Sequence, residues 1–132
     1  MENVFLTIST TVDGTETQLS CNAEMESTLT SATLRYRDEN AEVLIFVNGS
    51  KAVLQRKGDY GLCLPLEENT QTVGTLSIGG NEGSVEIYTS RLGYSIRKNT
   101  LLMQLHYTLN FGNEKQEMRL RIHARQNHSE EK

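Results

Sequence analysis

The fold class is decided by residues 101–111, which read Leu101-Leu102-Met103-Gln104-Leu105-His106-Tyr107-Thr108-Leu109-Asn110-Phe111. Every odd-numbered position is apolar, whereas the even-numbered positions after Leu102 are polar. Successive side chains of a β-strand point to opposite faces of the sheet, so this alternation predicts a strand with one buried face. Residues 100–111 would span about 40 Å if straight, so we expect the strand to coil around a barrel.

The same period of two continues on both sides of this stretch. After a turn at 112–115, apolar residues alternate up to Ala124, and the chain begins with a similar pattern from Val4 to Ile8. The pairs Asp13-Gly14 and Asn48-Gly49 lie between such segments and are typical of tight hairpin turns. Pro65 cannot donate a ladder hydrogen bond, so its strand is expected at an edge or an irregularity. We interpret residues 93–99 as a connection with at most a short strand.

The pattern therefore predicts an all-β protein. No segment of ten or more residues has a helical period, and short loops join about eight to ten strands. Such a chain forms either a closed antiparallel barrel or a β-sandwich, and we favour the barrel because the last strands are long. We expect a single domain over residues 1–125, followed by a polar, frayed tail at 126–132.

Composition excludes several functional classes. The chain has 132 residues and a net charge of −4, from 13 basic and 17 acidic side chains, which argues against a general nucleic-acid binder. No apolar run is long enough to span a bilayer, and the amino terminus lacks the basic region of a signal peptide. These features predict a cytoplasmic protein that does not bind membranes. The cysteines, Cys21 and Cys63, are then expected to be reduced thiols.

Several short segments, taken in order, resemble a known family. They are Leu34-Arg35-Tyr36-Arg37-Asp38-Glu39, Arg56-Lys57-Gly58, Gly83-Ser84-Val85-Glu86-Ile87 with Thr89, and Leu105-His106-Tyr107-Thr108-Leu109. In these segments the chain resembles the YwiB-like domain of unknown function, a bacterial family of uncharacterised calycin-like β-barrel proteins. The resemblance implies a lipocalin-like barrel and brings no established activity with it.

Catalytic and metal-binding motifs are not evident. The chain has no Cys-x-x-Cys pair, no helical pair of histidines, no Gly-x-Ser-x-Gly elbow and no phosphate-binding loop. No acid–base pair has a visible cause for a shifted pKa. We therefore predict no catalytic residues, no metal and no cofactor, and we incline towards a protein that is not an enzyme.

A row of basic side chains is the most distinctive charged feature. On the last strand, the positions opposite the apolar face hold Arg119, Arg121, His123 and Arg125. Successive guanidinium groups at alternate strand positions lie about 6.6 Å apart and could bind phosphates or an acidic partner. The alternative is an ordinary solvated face, whose arginines pair with glutamates such as Glu16, Glu24 or Glu26.

The barrel interior suggests a second kind of site. Its predicted face is apolar, and Tyr36, Tyr107 and Thr89 are its possible polar contacts. Arg56 could turn into a barrel mouth, with Glu39 at the same rim; the alternative is a hairpin closed by an exposed salt bridge between Arg56 and Asp59. An apolar interior with few polar groups suits a small-ligand site as well as a filled core. The leading hypothesis is a small-ligand-binding barrel with an apolar or amphipathic ligand, contacted by Tyr36, Glu39, Arg56 and Tyr107.

The alternative function is a protein-interaction or self-association module that uses the basic row of the last strand. Either function is compatible with a monomer or a homodimer. The sequence does not identify the ligand, the partner or the order of the strands.

Overall fold

A computed structural model describes residues 2–126, and these residues form a closed antiparallel barrel of ten strands. Each strand pairs with its neighbours in the sequence, and β1 closes the ring against β10. The strands are β1 (Glu2–Val12), β2 (Thr15–Ser27), β3 (Ser31–Asp38), β4 (Ala41–Asn48), β5 (Lys51–Lys57), β6 (Tyr60–Glu67), β7 (Thr70–Ile78), β8 (Asn81–Arg97), β9 (Thr100–Phe111) and β10 (Glu114–Gln126). The all-β prediction is confirmed, and of the two architectures considered the barrel is the correct one.

The turns follow the predicted chemistry. Asp13 and Gly14 both have positive φ, 50° and 90°, as a two-residue hairpin turn requires. Gly49, at the second predicted hairpin, also has positive φ. Gln126, which the sequence assigned to the tail, is the last residue of β10 and pairs with Val4. The rest of the predicted tail, residues 127–132, lies outside the described residues.

One sequence interpretation is wrong. Residues 93–97 do not form a connection but belong to β8, which continues to Arg97 and pairs with β9 along its length. A β-bulge between Thr89 and Arg91 inserts an extra residue into β8. The bulge moves the buried side chains from odd positions (Val85, Ile87) to even ones. Because the alternation of apolar and polar residues shifts by one position, residues 93–97 did not continue the pattern of the preceding strand.

The interior is a packed apolar core. Buried side chains come from every strand except β7, whose one fully covered residue is Gly74. Completely buried residues include Leu6, Ile87, Leu105 and Ile122. These buried side chains pack together in one hydrophobic cluster.

The two ends of the barrel differ. At the end where β2 meets β3, the Tyr94 hydroxyl accepts a hydrogen bond from the Gly49 amide (2.7 Å) and donates one to the Thr30 carbonyl. Tyr94 thereby connects two loops across this end. At the opposite end, which carries the turns 13–14, 39–40, 58–59 and 112–113, several core-facing apolar side chains remain partly exposed: Cys21, Tyr36, Val43, Leu62, Phe111, Met118 and Leu120. We call this end the open mouth.

The ring has two weak seams. Strand β2 pairs with β3 only between Glu24 and Ser27, and β6 pairs with β7 only between Tyr60 and Cys63, within the described residues. Pro65 lies where β6 leaves β7, and its carbonyl accepts a hydrogen bond from the Thr72 hydroxyl. The expectation of an irregular strand at Pro65 is therefore confirmed.

Candidate functional site

The basic row of β10 lies on the outer surface of the barrel. Arg119, Arg121, His123 and Arg125 are all exposed, and they alternate with the core-facing residues of the strand. The bulge in β8 adds Arg91, which pairs with His106 of β9, and His106 in turn lies opposite Arg119. We call these six residues the arginine face. Four arginines and two histidines thus share one side of the barrel.

The arginine face has almost no carboxylate within it. On β1, the positions opposite its residues hold Phe5, Thr7, Ser9 and Thr11, and on β9 they hold Leu102, Gln104 and His106. Glu117, two residues before Arg119, is the nearest acidic residue on β10. Among residues 2–126, the ion pairs are Arg37–Glu42 and Arg56–Asp59, and neither involves this face.

The glutamates expected to neutralise the row do not do so. Glu16 and Glu24 are on β2, which is separated from β10 by β1. Two strand spacings place them about 10 Å from the basic row. Arg125 instead lies over the Phe5 ring, 5.4 Å from its centroid. The arginine face is therefore available to an external anion.

The electrostatics of His106 reflect these surroundings. Partial burial lowers the pKa of His106, and the charges of Arg119 and Arg91 lower it further. Glu117 opposes the shift but does not reverse it. A histidine whose protonation is disfavoured by neighbouring guanidinium groups indicates a positive potential at the surface.

The predicted rim residue Arg56 is already satisfied within the protein. Its Nη1 atom lies 3.0 Å from Asp59 Oδ1 and donates a hydrogen bond to the Tyr60 carbonyl (2.8 Å). The guanidinium carbon lies 3.8 Å from the centre of the Tyr60 ring. The Arg56 side chain is 21% exposed and closes the β5–β6 hairpin at the open mouth. Asp59 neutralises its charge there.

The other predicted ligand contacts approach the same mouth. Val43 of β4 pairs with Tyr36 of β3 on one side and with Arg56 of β5 on the other. Glu39 lies in the exposed β3–β4 turn and has a φ of 56°. Tyr107 is buried deeper. Burial raises the pKa values of Tyr36 and Tyr107, and Asp38 and Cys21 raise that of Tyr36 further. Burial and Asp38 also raise the pKa of the Cys21 thiol, which disfavours the nucleophilic thiolate.

One polar atom of the interior has no partner. The Oγ1 atom of Thr89, which is completely buried, makes no hydrogen bond within the described part of the chain. Thr89 lies opposite Tyr107, so two of the three polar side chains named for the interior are neighbours. Small-ligand binding at these residues stays a prediction.

A groove of about 520 Å³ lies where β2 and β3 separate, and its lining joins outward-facing residues to the core-facing Ala23, Tyr36 and Val43. Its lining includes exposed Glu24 and Arg35 at the junction of the two strands, and Glu42 and Lys57 farther across the sheet. The half-buried Leu44 is also part of this surface. The sequence pattern could not reveal this groove, because the number of pairs that two strands form is not encoded in their alternation.

The structure suggests no metal centre. In the described residues, no group of three or more histidine, cysteine, aspartate or glutamate side chains could hold a metal ion. Over the same residues there is also no helix with the length and apolarity needed to cross a membrane.

Comparison with known proteins agrees with this geometry. A family model described as Domain of unknown function (DUF1934) matches residues 5–122. The chain belongs to this family. A crystal structure of the ywiB protein from Bacillus subtilis has the same fold, with a TM-score of 0.83 at 11% sequence identity. The match covers 96% of this chain and 92% of that chain, and it confirms the barrel and the family resemblance. Among curated proteins, no sequence matches significantly.

Proposed function

We propose that this barrel is a non-enzymatic binding module that attaches to an acidic segment of a partner protein through the arginine face. The observation that carries the proposal is the cluster of four exposed arginines and two histidines with no carboxylate directly opposite them. Clustered guanidinium groups are costly to hold together unless an anion neutralises them.

The arrangement suits an extended acidic chain. Alternate positions on β10 place Arg119, Arg121 and Arg125 along one line, with spacings that are multiples of about 6.6 Å. Carboxylates at alternate positions of an extended peptide have a matching repeat, and each can accept two hydrogen bonds from one guanidinium group. The net charge of −4 disfavours a long nucleic acid, whose phosphates would also meet the acidic parts of the surface.

The test is the binding of a fluorescein-labelled decaglutamate peptide, measured by fluorescence anisotropy at low and high salt. Replacing Arg119, Arg121 and Arg125 by alanine should weaken binding about tenfold at low salt, since three exposed charge pairs of about 0.5 kcal/mol each are lost. Salt should weaken binding to the wild type and have little effect on the triple variant.

A matched control removes the same charge elsewhere. Alanine at Arg35, Lys51 and Lys57 deletes three positive charges from β3 and β5, on the opposite side of the ring. This control should bind the peptide almost as well as the wild type. Binding of the peptide should also raise the pKa of His106, which NMR titration can follow. Equal affinity of the wild type and the Arg119, Arg121 and Arg125 variant would overturn the proposal, as would an equal loss in the control.

Small-ligand binding is the second candidate, and one observation favours it. Several core-facing apolar side chains at the open mouth, among them Tyr36 and Leu120, are only partly covered. An amphipathic ligand at the mouth would cover these side chains. Native mass spectrometry of gently purified protein tests this candidate: a discrete added mass that is lost on denaturation supports it, and protein of the bare mass argues against it.

A further inference from the structure

The amino-terminal part of β2 has a free edge. Residues Thr15 to Cys21 pair with β1 on one side, but the ladder to β3 begins only at Glu24. Within the described residues, β3 beyond Arg35 pairs with β4 alone. About half of the backbone N–H and C=O groups of a strand point to each side, so the outer side of residues 15–21 presents unpaired groups that can bind another strand.

The side chains on the inner face of β2 are more exposed where the pairing with β3 is missing. Ala23 and Met25, beside the β2–β3 ladder, are 7% and 1% exposed. Leu19 and Cys21 face the same interior and are only half buried, and Thr17 is exposed. The gap between β2 and β3 therefore exposes apolar side chains that one additional strand would cover.

The outer face of the same edge is polar and bears one carboxylate. The outward side chains between Thr15 and Cys21 are Glu16, Gln18 and Ser20, so Glu16 supplies the one negative charge of the free edge, and no cationic residue occurs in β2. Across the gap, Arg37 is paired with Glu42 at 3.0 Å. Arg35 and Lys57 also line the groove on the far side of the gap. A strand placed directly beside residues 15–21 would thus contact Glu16 and neutral polar groups of β2 on its outward side and apolar groups on its inward side.

We propose that the gap between β2 and β3 is a second binding site, which takes an extended peptide segment as an added strand on the free edge of β2. The occupant has apolar residues at alternate positions and basic residues between them. Its backbone pairs with residues 15–21, its apolar side chains cover Leu19 and Cys21, and its basic side chains approach Glu16. This site is separate from the arginine face, and Glu16 favours a basic side chain at the adjacent position of the occupant.

The probe is a synthetic octapeptide of alternating valine and lysine, titrated into ¹⁵N-labelled protein. Saturable shifts should be concentrated at residues 15–21 and at Tyr36, and alternate amides of residues 15–21 should become protected from hydrogen exchange. Two control peptides have the same sequence with every second residue N-methylated, one on each side of the strand. An N-methylated amide cannot donate a hydrogen bond, so the methylated side of the peptide cannot form the ladder. The version methylated on the pairing side should not bind.

Charge variants complete the test. Glu16→Lys should weaken binding about fivefold, because an attractive surface contact becomes a repulsive one. Glu82→Lys, an equal change at an exposed position of β8, should have no effect. The arginine-face variant should bind this peptide normally, so the outcome is independent of the acidic-partner proposal.

Three results would overturn the inference: no saturable binding, shifts outside the gap, or equal binding of both methylated peptides. A fourth result would also overturn it: in the free protein, the amides of residues 15–21 become protected only as the protein concentration rises, and sedimentation shows dimers. That result would assign the edge to a second copy of the chain.

Discussion

Thr89 is a buried polar residue in an apolar interior. Its side chain is fully covered, and the Oγ1 atom has no hydrogen-bond partner in the described residues. An unsatisfied buried hydroxyl costs about 1–3 kcal/mol, whereas an isosteric apolar group has no such cost. We expect Thr89→Val to raise the free energy of unfolding by about 1 kcal/mol in urea denaturation. A loss of stability instead would show that the hydroxyl holds a partner such as a buried water molecule.

Arg56 is a charged residue at the barrel mouth for which the sequence allowed two roles. Its position on the inner face at a barrel mouth suggested a ligand contact, but Asp59 and Tyr60, three and four residues later, bind its guanidinium group. A tight hairpin brings these groups together before any ligand is needed. The salt bridge with Asp59, the alternative that the sequence allowed, is present, and a ligand contact by Arg56 stays a prediction.

At the scale of single strands, β7 depends on a glycine. A Cβ atom at Gly74 would lie 2.5 Å from the Cys63 carbonyl oxygen and 3.0 Å from Leu64 Cδ2. The first contact is with backbone, so β6 and β7 would have to separate. We expect Gly74→Ala to lower the free energy of unfolding by about 3 kcal/mol, at the upper end of the usual cost of overpacking.

The control for this variant is Gly93→Ala in β8. A Cβ atom at Gly93 meets nothing within 4 Å. Because alanine loses less conformational entropy on folding, this change should leave stability equal or raise it by about 0.5 kcal/mol. Chemical denaturation of both variants checks the pair, and similar stabilities would contradict the packing at the β6–β7 seam.

The bulge in β8 decides which side chains this strand contributes to the surface. Before it, even positions such as Glu86 and Tyr88 point outwards, and after it the odd position Arg91 does so. Arg91 joins His106 on the arginine face because of this one-residue shift. Alternation by itself would have assigned Arg91 to the interior, so the sequence interpretation did not include it.

At the scale of the whole barrel, the buried Tyr107 and the half-buried Tyr36 should determine the stability at alkaline pH. Burial raises the pKa values of Tyr36 and Tyr107, so the folded state favours their neutral forms. Their contribution to the free energy of unfolding is complete below the tyrosine pKa of the unfolded chain, about 10, and is lost as the pH rises above that value. We expect their ionisation, followed by ultraviolet absorbance, to coincide with loss of the circular dichroism signal.

Phenylalanine variants separate this effect from general alkaline denaturation. Tyr107→Phe removes a buried ionisable group and should move the alkaline unfolding midpoint to higher pH. Tyr88→Phe is the control, since Tyr88 is 46% exposed, and it should leave the midpoint unchanged. An unchanged midpoint for Tyr107→Phe would contradict the assigned cause.

The sequence by itself determined the all-β class, most of the strands and the basic row of β10. These features depend on alternation and turn residues, which are properties of neighbouring positions. The exact span Thr100–Phe111 of β9 and the hairpin at Asp13-Gly14 are examples.

Only the tertiary structure decided which rows lie side by side and where pairing stops. The closure of β1 on β10 places neutral residues beside the basic row and keeps Glu16 and Glu24 one strand farther away. The early separation of β2 from β3 creates the free edge. Both outcomes depend on contacts between residues far apart in the chain and on the coiling needed to close ten strands, which no local pattern records.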